Sequence, residues 1–273
     1  MKAMLIDSTR CIGCRGCQIA CKQWNELPAE QTTFFASKGY QNPRDLSSKT
    51  WTVITYNEVQ IQDRFEWVFG KLQCFHCNIP ACATACPVGA LWKTEEGPVA
   101  YDANICLGCR YCQLACPFLV PRFEWDRIFP KIMKCTMCDD RVVAGLEPAC
   151  SKVCPTDAII FGDREVLVAE AENRISLNPR GYVHHIYGKD EVGGTCVMHL
   201  SNVPFEELAY QTNLPQKAFA NLPAKTPADY SKPAMHAIPF VLTGLGIALG
   251  AVSWVVNRRM ENERNTQSKE GAK

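Results

Sequence analysis

The sequence carries almost no net charge: 29 Lys and Arg against 28 Asp and Glu leave +1. So even a balance gives no electrostatic case for a nucleic-acid partner. There is no nucleophile–base pair and no phosphate-cradling glycine loop, so no substrate turnover is expected of this chain alone. Met1 to Arg10 lacks the pattern of a secretory signal. That absence weighs against a disulfide scaffold, which at this cysteine density belongs to short secreted chains.

What the sequence has is cysteine. Sixteen of its 17 cysteines fall into four groups of four. The first is Cys11, Cys14, Cys17 and Cys21; the second Cys74, Cys77, Cys82 and Cys86; the third Cys106, Cys109, Cys112 and Cys116; the fourth Cys135, Cys138, Cys150 and Cys154. Groups one and three repeat C-x2-C-x2-C-x3-C, group two loosens to C-x2-C-x4-C-x3-C, and group four opens to C-x2-C-x11-C-x3-C. Two residues between cysteines let one tight loop wrap three corners of a cubane. A fourth cysteine three residues on starts a short helix, and in two-cluster ferredoxins it crosses to the neighbouring cluster. Pro87, Pro117 and Pro155 follow the fourth cysteines, whereas group one has Lys22 there. Zinc also accepts C-x2-C pairs, but it pairs two such units across a spacer rather than using triple runs ending in Cys-Pro. Sixteen thiolates therefore predict four [4Fe-4S] clusters, and four one-electron centres in one chain predict an electron wire. Cys196 is left over and is expected to be a small buried residue.

The expected fold class is α+β: two ferredoxin-like modules binding four [4Fe-4S] clusters, plus a single C-terminal transmembrane helix. Residues 1–165 form the double ferredoxin-like domain. Its halves, 1–25 and 120–165, flank an inserted module at 72–118, with a loop and hairpin insert at 28–71. Trp51 to Phe69 is rich in β-branched and aromatic residues and predicts a hairpin turning near Gln62-Asp63, after an irregular loop from Pro28 to Ser48. Arg164 to Ile175 has helical spacing at Val166, Leu167, Ala169 and Ala171. Residues 166–233 otherwise predict an extended arm with short helices, broken at Pro179, Gly181, Gly193-Gly194 and Pro204. Because metal holds such modules together, the cluster-free chain is expected to be largely unfolded over 1–165.

Ala237 to Val256 is a run of twenty uncharged residues. At about 1.5 Å per residue it spans roughly 30 Å, a bilayer's hydrocarbon thickness. The transmembrane helix is therefore placed at 234–257, with a cytoplasmic tail at 258–273. Gly244, Gly246 and Gly250 suit a close helix neighbour, and Trp254 suits an interface. Arg258, Arg259, Arg264, Lys269 and Lys273 follow the segment, against Lys217, Lys225 and Lys232 before it. The positive-inside rule then puts the tail in the cytoplasm and the cysteine-rich domain outside it. Export alongside a partner with a twin-arginine signal would carry that domain across. His236, just before the helix, has no second histidine to make a case for haem.

The chain resembles the iron–sulfur β subunit of respiratory, membrane-bound formate dehydrogenases. The resemblance rests on STRCIGCRGCQIACKQWNE, NPRDLSSKTWTV, CLGCRYCQLACPFLVPR, KIMKCTMCDDRVVAGLEPACSKVCPTDAIIFG, the late RGYVHHIYGKDEVGGTCVM and the C-terminal helix. It implies crossed ligation. Cys11, Cys14 and Cys17 would share a cluster with Cys154; Cys135, Cys138 and Cys150 with Cys21; Cys74, Cys77 and Cys82 with Cys116; Cys106, Cys109 and Cys112 with Cys86. It also implies a molybdenum- or tungsten-pterin catalytic subunit, a membrane cytochrome b, and quinone reached through it. The domain would lie on the periplasmic side of the inner membrane. Nitrate-reductase-type subunits replace one ligand with tryptophan; here all sixteen positions are cysteine. Polysulfide, dimethyl sulfoxide or other reductases of the same superfamily, or a non-enzymatic redox anchor, are the competing readings. Gly13, Gly16 and Gly108 are expected to let backbone N–H groups approach sulfur. Arg15, Arg110 and Lys134 lie beside ligands, where they would offset cluster charge or face solvent. His76, inside CFHC, is expected to be structural.

Overall fold

The computed structural model describes residues 1–32, 41–61, 63–208 and 222–270, with side chains described except at Lys232, 234–236 and 261–270. Part of the expected loop (33–40), Gln62 of the expected turn, part of the expected arm (209–221) and the His236 side chain lie outside the described residues. The chain divides into two units, Met1–Ala228 and Asp229–Lys273.

The first unit is organised on strand β1, Lys2–Asp7. Ala3, Met4 and Leu5 are wholly buried, because β1 is the middle strand of a three-stranded sheet. Helix α1 follows at Gly16–Trp24. Strands β2, Val53–Ile61, and β3, Arg64–Leu72, make the expected hairpin, in register from Val53↔Leu72 to Ile61↔Arg64. The next stretch alternates short helices with two-stranded ribbons: α2 (Ala81–Thr84), β4 (Leu91–Lys93), β5 (Val99–Tyr101), α3 (Tyr111–Ala115), β6 (Arg122–Phe123), β7 (Ile132–Met133), α4 (Asp139–Val143) and α5 (Ala149–Lys152). Strand β4 pairs β5 and β6 pairs β7, while α1 packs on α5 and α2 on α3. Strand β8, Ile159–Asp163, returns antiparallel to β1.

Helix α6 runs from Arg164 to Leu177. Its inward face differs from the one expected. Val166 is 64% exposed, and Leu167, Val168, Ala171 and Arg174 are buried instead. The reason is an ion pair: Arg174 Nη1 donates to the buried Asp7 carboxylate at 2.9 Å, which turns that face towards β1.

The described part of the expected arm does not lie extended along a surface. Strand β9, Val197–Leu200, pairs parallel with β1 and is buried along its whole length. The breaker residues bend the chain around this strand. Gly188 has φ +93°, and a Cβ there would lie 2.6 Å from Thr195 Oγ1 and Val197 O. Gly194 has φ +80°, and a Cβ there would meet Asn78 at 2.7 Å and Lys189 O at 2.8 Å. The glycines thus permit close packing at left-handed positions rather than looseness.

The second unit is the greater part of helix α7, Pro227–Glu270. Within it, Ala237–Met260 is long and apolar enough to cross a bilayer. Phe240 is 80% and Ile247 70% exposed. A core helix of a soluble fold would bury such side chains, so the span fits a membrane anchor.

Candidate metal centres

The cysteine loops share one backbone device. Each C-x2-C turn contains a residue in the left-handed region: Gly13 and Arg15 in group one, His76 in group two, Gly108 and Arg110 in group three, Met137 and Cys138 in group four. Alternating hand turns successive N–H groups to one side and builds a concavity for an anion. Gly13 and Gly108 need glycine for a second reason. A Cβ at Gly13 would lie 2.9 Å from the Phe69 ring, and one at Gly108 would lie 2.6 Å from Pro130 O.

Two cavities sort eight of the cysteines. One is lined by Cys11, Cys14, Cys17 and Cys154, with Lys71 and Pro155. The other is lined by Cys21, Cys135, Cys138 and Cys150, with Gln73 and Met137. Each cavity thus takes three cysteines from one group and the fourth cysteine of another. The remaining eight adjoin one another, with Cys82 beside both Cys77 and Cys112. Burial pushes the Cys77 thiol well up, and Cys116, Cys74 and Cys82 add to the rise. Burial pushes Cys112 up to about 12, reinforced by Cys82, Cys106, Cys109 and Cys86. Cys17 and Cys21 also reach about 12, from burial first.

This crowding decides what the sites can hold. Thiols pressed together in an apolar interior ionise only if a cation compensates them. Two cavities each lined by four cysteines offer the four thiolates that a cubane takes, so the residues fit [4Fe-4S] clusters. An orphaned buried atom agrees. His76 is wholly buried, and its Nδ1 accepts from Val99 N–H at 2.8 Å. The ring proton then sits on Nε2, which is buried and has no hydrogen-bond partner among the described atoms. Burial, then Lys134, Lys93 and Lys71, hold this imidazole neutral.

The other named residues separate clearly. Arg15 lies 4.8 Å over the Tyr56 ring, and Arg110 lies 4.1 Å over Trp125. Both guanidinium groups stack on aromatic faces, and Arg15 also lines the cavity of Cys11, Cys14, Cys17 and Cys154. Lys134 is buried, donating to Val99 O at 2.6 Å and Cys135 O at 3.1 Å. Cys196 is buried, accepting from Lys93 Nζ at 3.1 Å, and it lines neither cysteine cavity. Sequence reasoning missed Lys71. It lies three residues before Cys74, and only the strand register, which pairs it with Ile54 inside the hairpin's buried end, reveals it.

Comparison with known proteins agrees with this chemistry. Two family profiles, each described as a 4Fe-4S dicluster domain, match residues 10–90 and 65–164. The formate dehydrogenase-O iron-sulfur subunit of Escherichia coli is 40% identical over 96% of this chain and 87% of its own length. The formate dehydrogenase iron-sulfur subunit of Haemophilus influenzae is 44% identical over 72% of this chain and 64% of its own. The hydrogenase-2 operon protein HybA of Escherichia coli O157:H7 is 36% identical over 75% and 71%.

Proposed function

The chain belongs to the iron–sulfur electron-transfer subunits of the formate dehydrogenase type, and from that premise we propose that it conducts electrons through four [4Fe-4S] clusters held by crossed cysteine sets. Each cluster, when bound, takes up and releases one electron. The carrying observation is that the cysteine sets run in a continuous series. Cys17, Cys150, Cys135, Cys74, Cys77 and Cys116 share one buried cluster that joins the first three sets, and Cys82 and Cys112 share a second that joins the third and fourth. The two ends of this series carry the two exposed cysteines among the sixteen, Cys14 and Cys109. Exposure at both ends and burial between them is what a conductor between two partners requires. Ile12, Ile19, Leu107 and Leu114 stand exposed around these ends and supply apolar contact for such partners.

The partners proposed are a molybdenum- or tungsten-pterin subunit that oxidises formate, and a membrane cytochrome b that passes electrons to quinone. Helix α7 anchors the chain in the inner membrane, with the cysteine-rich unit on the periplasmic side and the tail in the cytoplasm. The chain itself holds and orients clusters and turns over no substrate.

The test is anaerobic purification of the whole complex from membranes, followed by formate or hydrogen. Bleaching of the iron–sulfur absorbance by formate supports the proposal. Bleaching by hydrogen alone would favour the second reading, suggested by the HybA relative, of the same wire behind a hydrogenase. Protease access to the cysteine-rich unit in sealed vesicles of known orientation tests the sidedness.

A further inference from the structure

Lys71 is a lysine where a folded chain should not tolerate one. It is 1% exposed, on the inner end of β3. Among the described residues no carboxylate lies within ion-pair distance of it, although each of the twelve ion pairs found has its acid. Its Nζ donates to the side-chain oxygen of Gln73, itself 1% exposed and held from its other end by Met4 Sδ at 3.3 Å. A buried ammonium with only an amide partner would ordinarily shed its proton. Here the surroundings are thiols. Lys71 lines the cavity of Cys11, Cys14, Cys17 and Cys154, and Gln73 lines that of Cys21, Cys135, Cys138 and Cys150. The lysine and its glutamine therefore form the partition between the first two cysteine sets.

We propose that Lys71 is the shared counter-cation of the first two clusters, raising the reduction potential of both and keeping the two matched. A cubane with four thiolates is anionic, and each electron gained adds a negative charge that a nearby fixed cation stabilises. When one electron crosses this partition, one centre is oxidised by one electron and the other reduced by one. Lys71 keeps its proton throughout, so the charge moves and nothing else does. A cation seen by both centres stabilises the electron on either side, which a lysine at one edge would not do. The third and fourth sets lie beyond the second and feel this charge less.

The inference rests on the cluster assignment above, which iron and labile-sulfide content of the unsubstituted complex reads independently of any potential. The experiment is an EPR-monitored redox titration of the purified complex carrying Lys71→Met, Lys71→Gln or Lys71→Arg. With Met or Gln, two of the four clusters should become harder to reduce. The expected change is about tenfold or more in the reduced-to-oxidised ratio at fixed potential, about 59 mV for a one-electron centre. The other two should shift less, and Arg should preserve all four. Unchanged potentials in a fully loaded Met or Gln variant would overturn the proposal, as would an equal shift of all four clusters. If Met and Gln variants assemble without the first two clusters while Arg loads all four, the requirement for charge stands. Failure of all three to load would assign Lys71 a packing role instead.

Discussion

Groups one and three are the same motif written twice, CIGCRGCQIAC and CLGCRYCQLAC, and the structure treats their loops alike and their exits differently. Gly13 and Gly108 take φ +66° and +69°, and Arg15 and Arg110 take +61° and +68°. Both arginines then stack on aromatic rings. After the fourth cysteine the likeness ends. Helix α3 stops at Ala115, and Cys116 is extended at ψ 115°. Pro117 excludes the helical region for the residue before it. Group one has Lys22 instead of proline, so α1 continues to Trp24. The Lys22 ammonium then donates to Pro28 O at 3.0 Å and Lys49 O at 2.6 Å, tying the helix to the chain that leads into the hairpin. The loop geometry belongs to the metal. The residue after the fourth cysteine decides how the cluster is joined to the rest of the protein.

The largest test of this comparison removes the fourth cysteines. Cys21→Ser and Cys116→Ser should each lose one cluster, about four of about sixteen iron atoms per chain. Under crossed ligation Cys21→Ser deletes the same EPR signal as Cys135→Ser, and Cys116→Ser the same signal as Cys77→Ser. Were each group to hold its own cluster, Cys21→Ser would match Cys11→Ser instead.

The next exchanges the exits. Lys22→Pro should cost about 3 kcal/mol or more, because proline within α1 removes a helical hydrogen bond and clashes with the preceding turn. Pro117→Lys should cost under about 1 kcal/mol, because it removes a stop without a clash. Anaerobic denaturant titrations followed by cluster absorbance measure both.

A finer test separates the glycines. Gly13→Ala and Gly108→Ala each incur about 1–2 kcal/mol for the left-handed backbone. Gly108→Ala should cost more, because its Cβ meets a backbone oxygen at 2.6 Å, whereas at Gly13 it meets the edge of a ring at 2.9 Å. Equal losses would mean that backbone strain alone governs both loops.

The smallest effect lies away from both loops and sets their baseline. His185 Nε2 pairs with Glu191 Oε1 at 2.5 Å, and Gly188 N–H donates to Glu191 Oε2 at 2.7 Å. The hydrogen bond that His185 donates to the Glu191 carboxylate raises the His185 pKa above 6.5. Burial opposes ionisation of Glu191, but the His185 hydrogen bond prevails and holds its pKa below 4.5. The histidine's contribution is therefore complete below pH 6.5 and fades as pH rises through its raised value. The glutamate's is complete above pH 4.5 and fades as pH falls through its lowered value. Amide exchange at Gly188 and Val192 should be slowest between those limits, and His185→Gln should flatten the profile.

How legible all this was in the sequence depended on range. Cysteine spacing, the hairpin and the apolar helix are local patterns, and each appears where its pattern lies. The orientation of α6 was not local. Val166 fits the helical repeat as well as Val168, and only the pairing of Arg174 with Asp7 decides which faces inward. Strand β9 is four residues among glycines and prolines, too short to stand out, and it is a strand because β1 offers it an edge. Lys71 reads as an ordinary polar residue until the register of β2 and β3 carries it inside.

That partnership of β1 with β9 sets a timetable. Strand β1 is completed by one made roughly two hundred residues later, a delay of about 10 to 40 s at ordinary elongation rates. Under the proposed crossed ligation, Cys11, Cys14 and Cys17 await Cys154 for most of that interval. A nascent chain of this kind offers iron four neighbouring thiols, Cys11, Cys14, Cys17 and Cys21, before the crossed partners proposed for them exist.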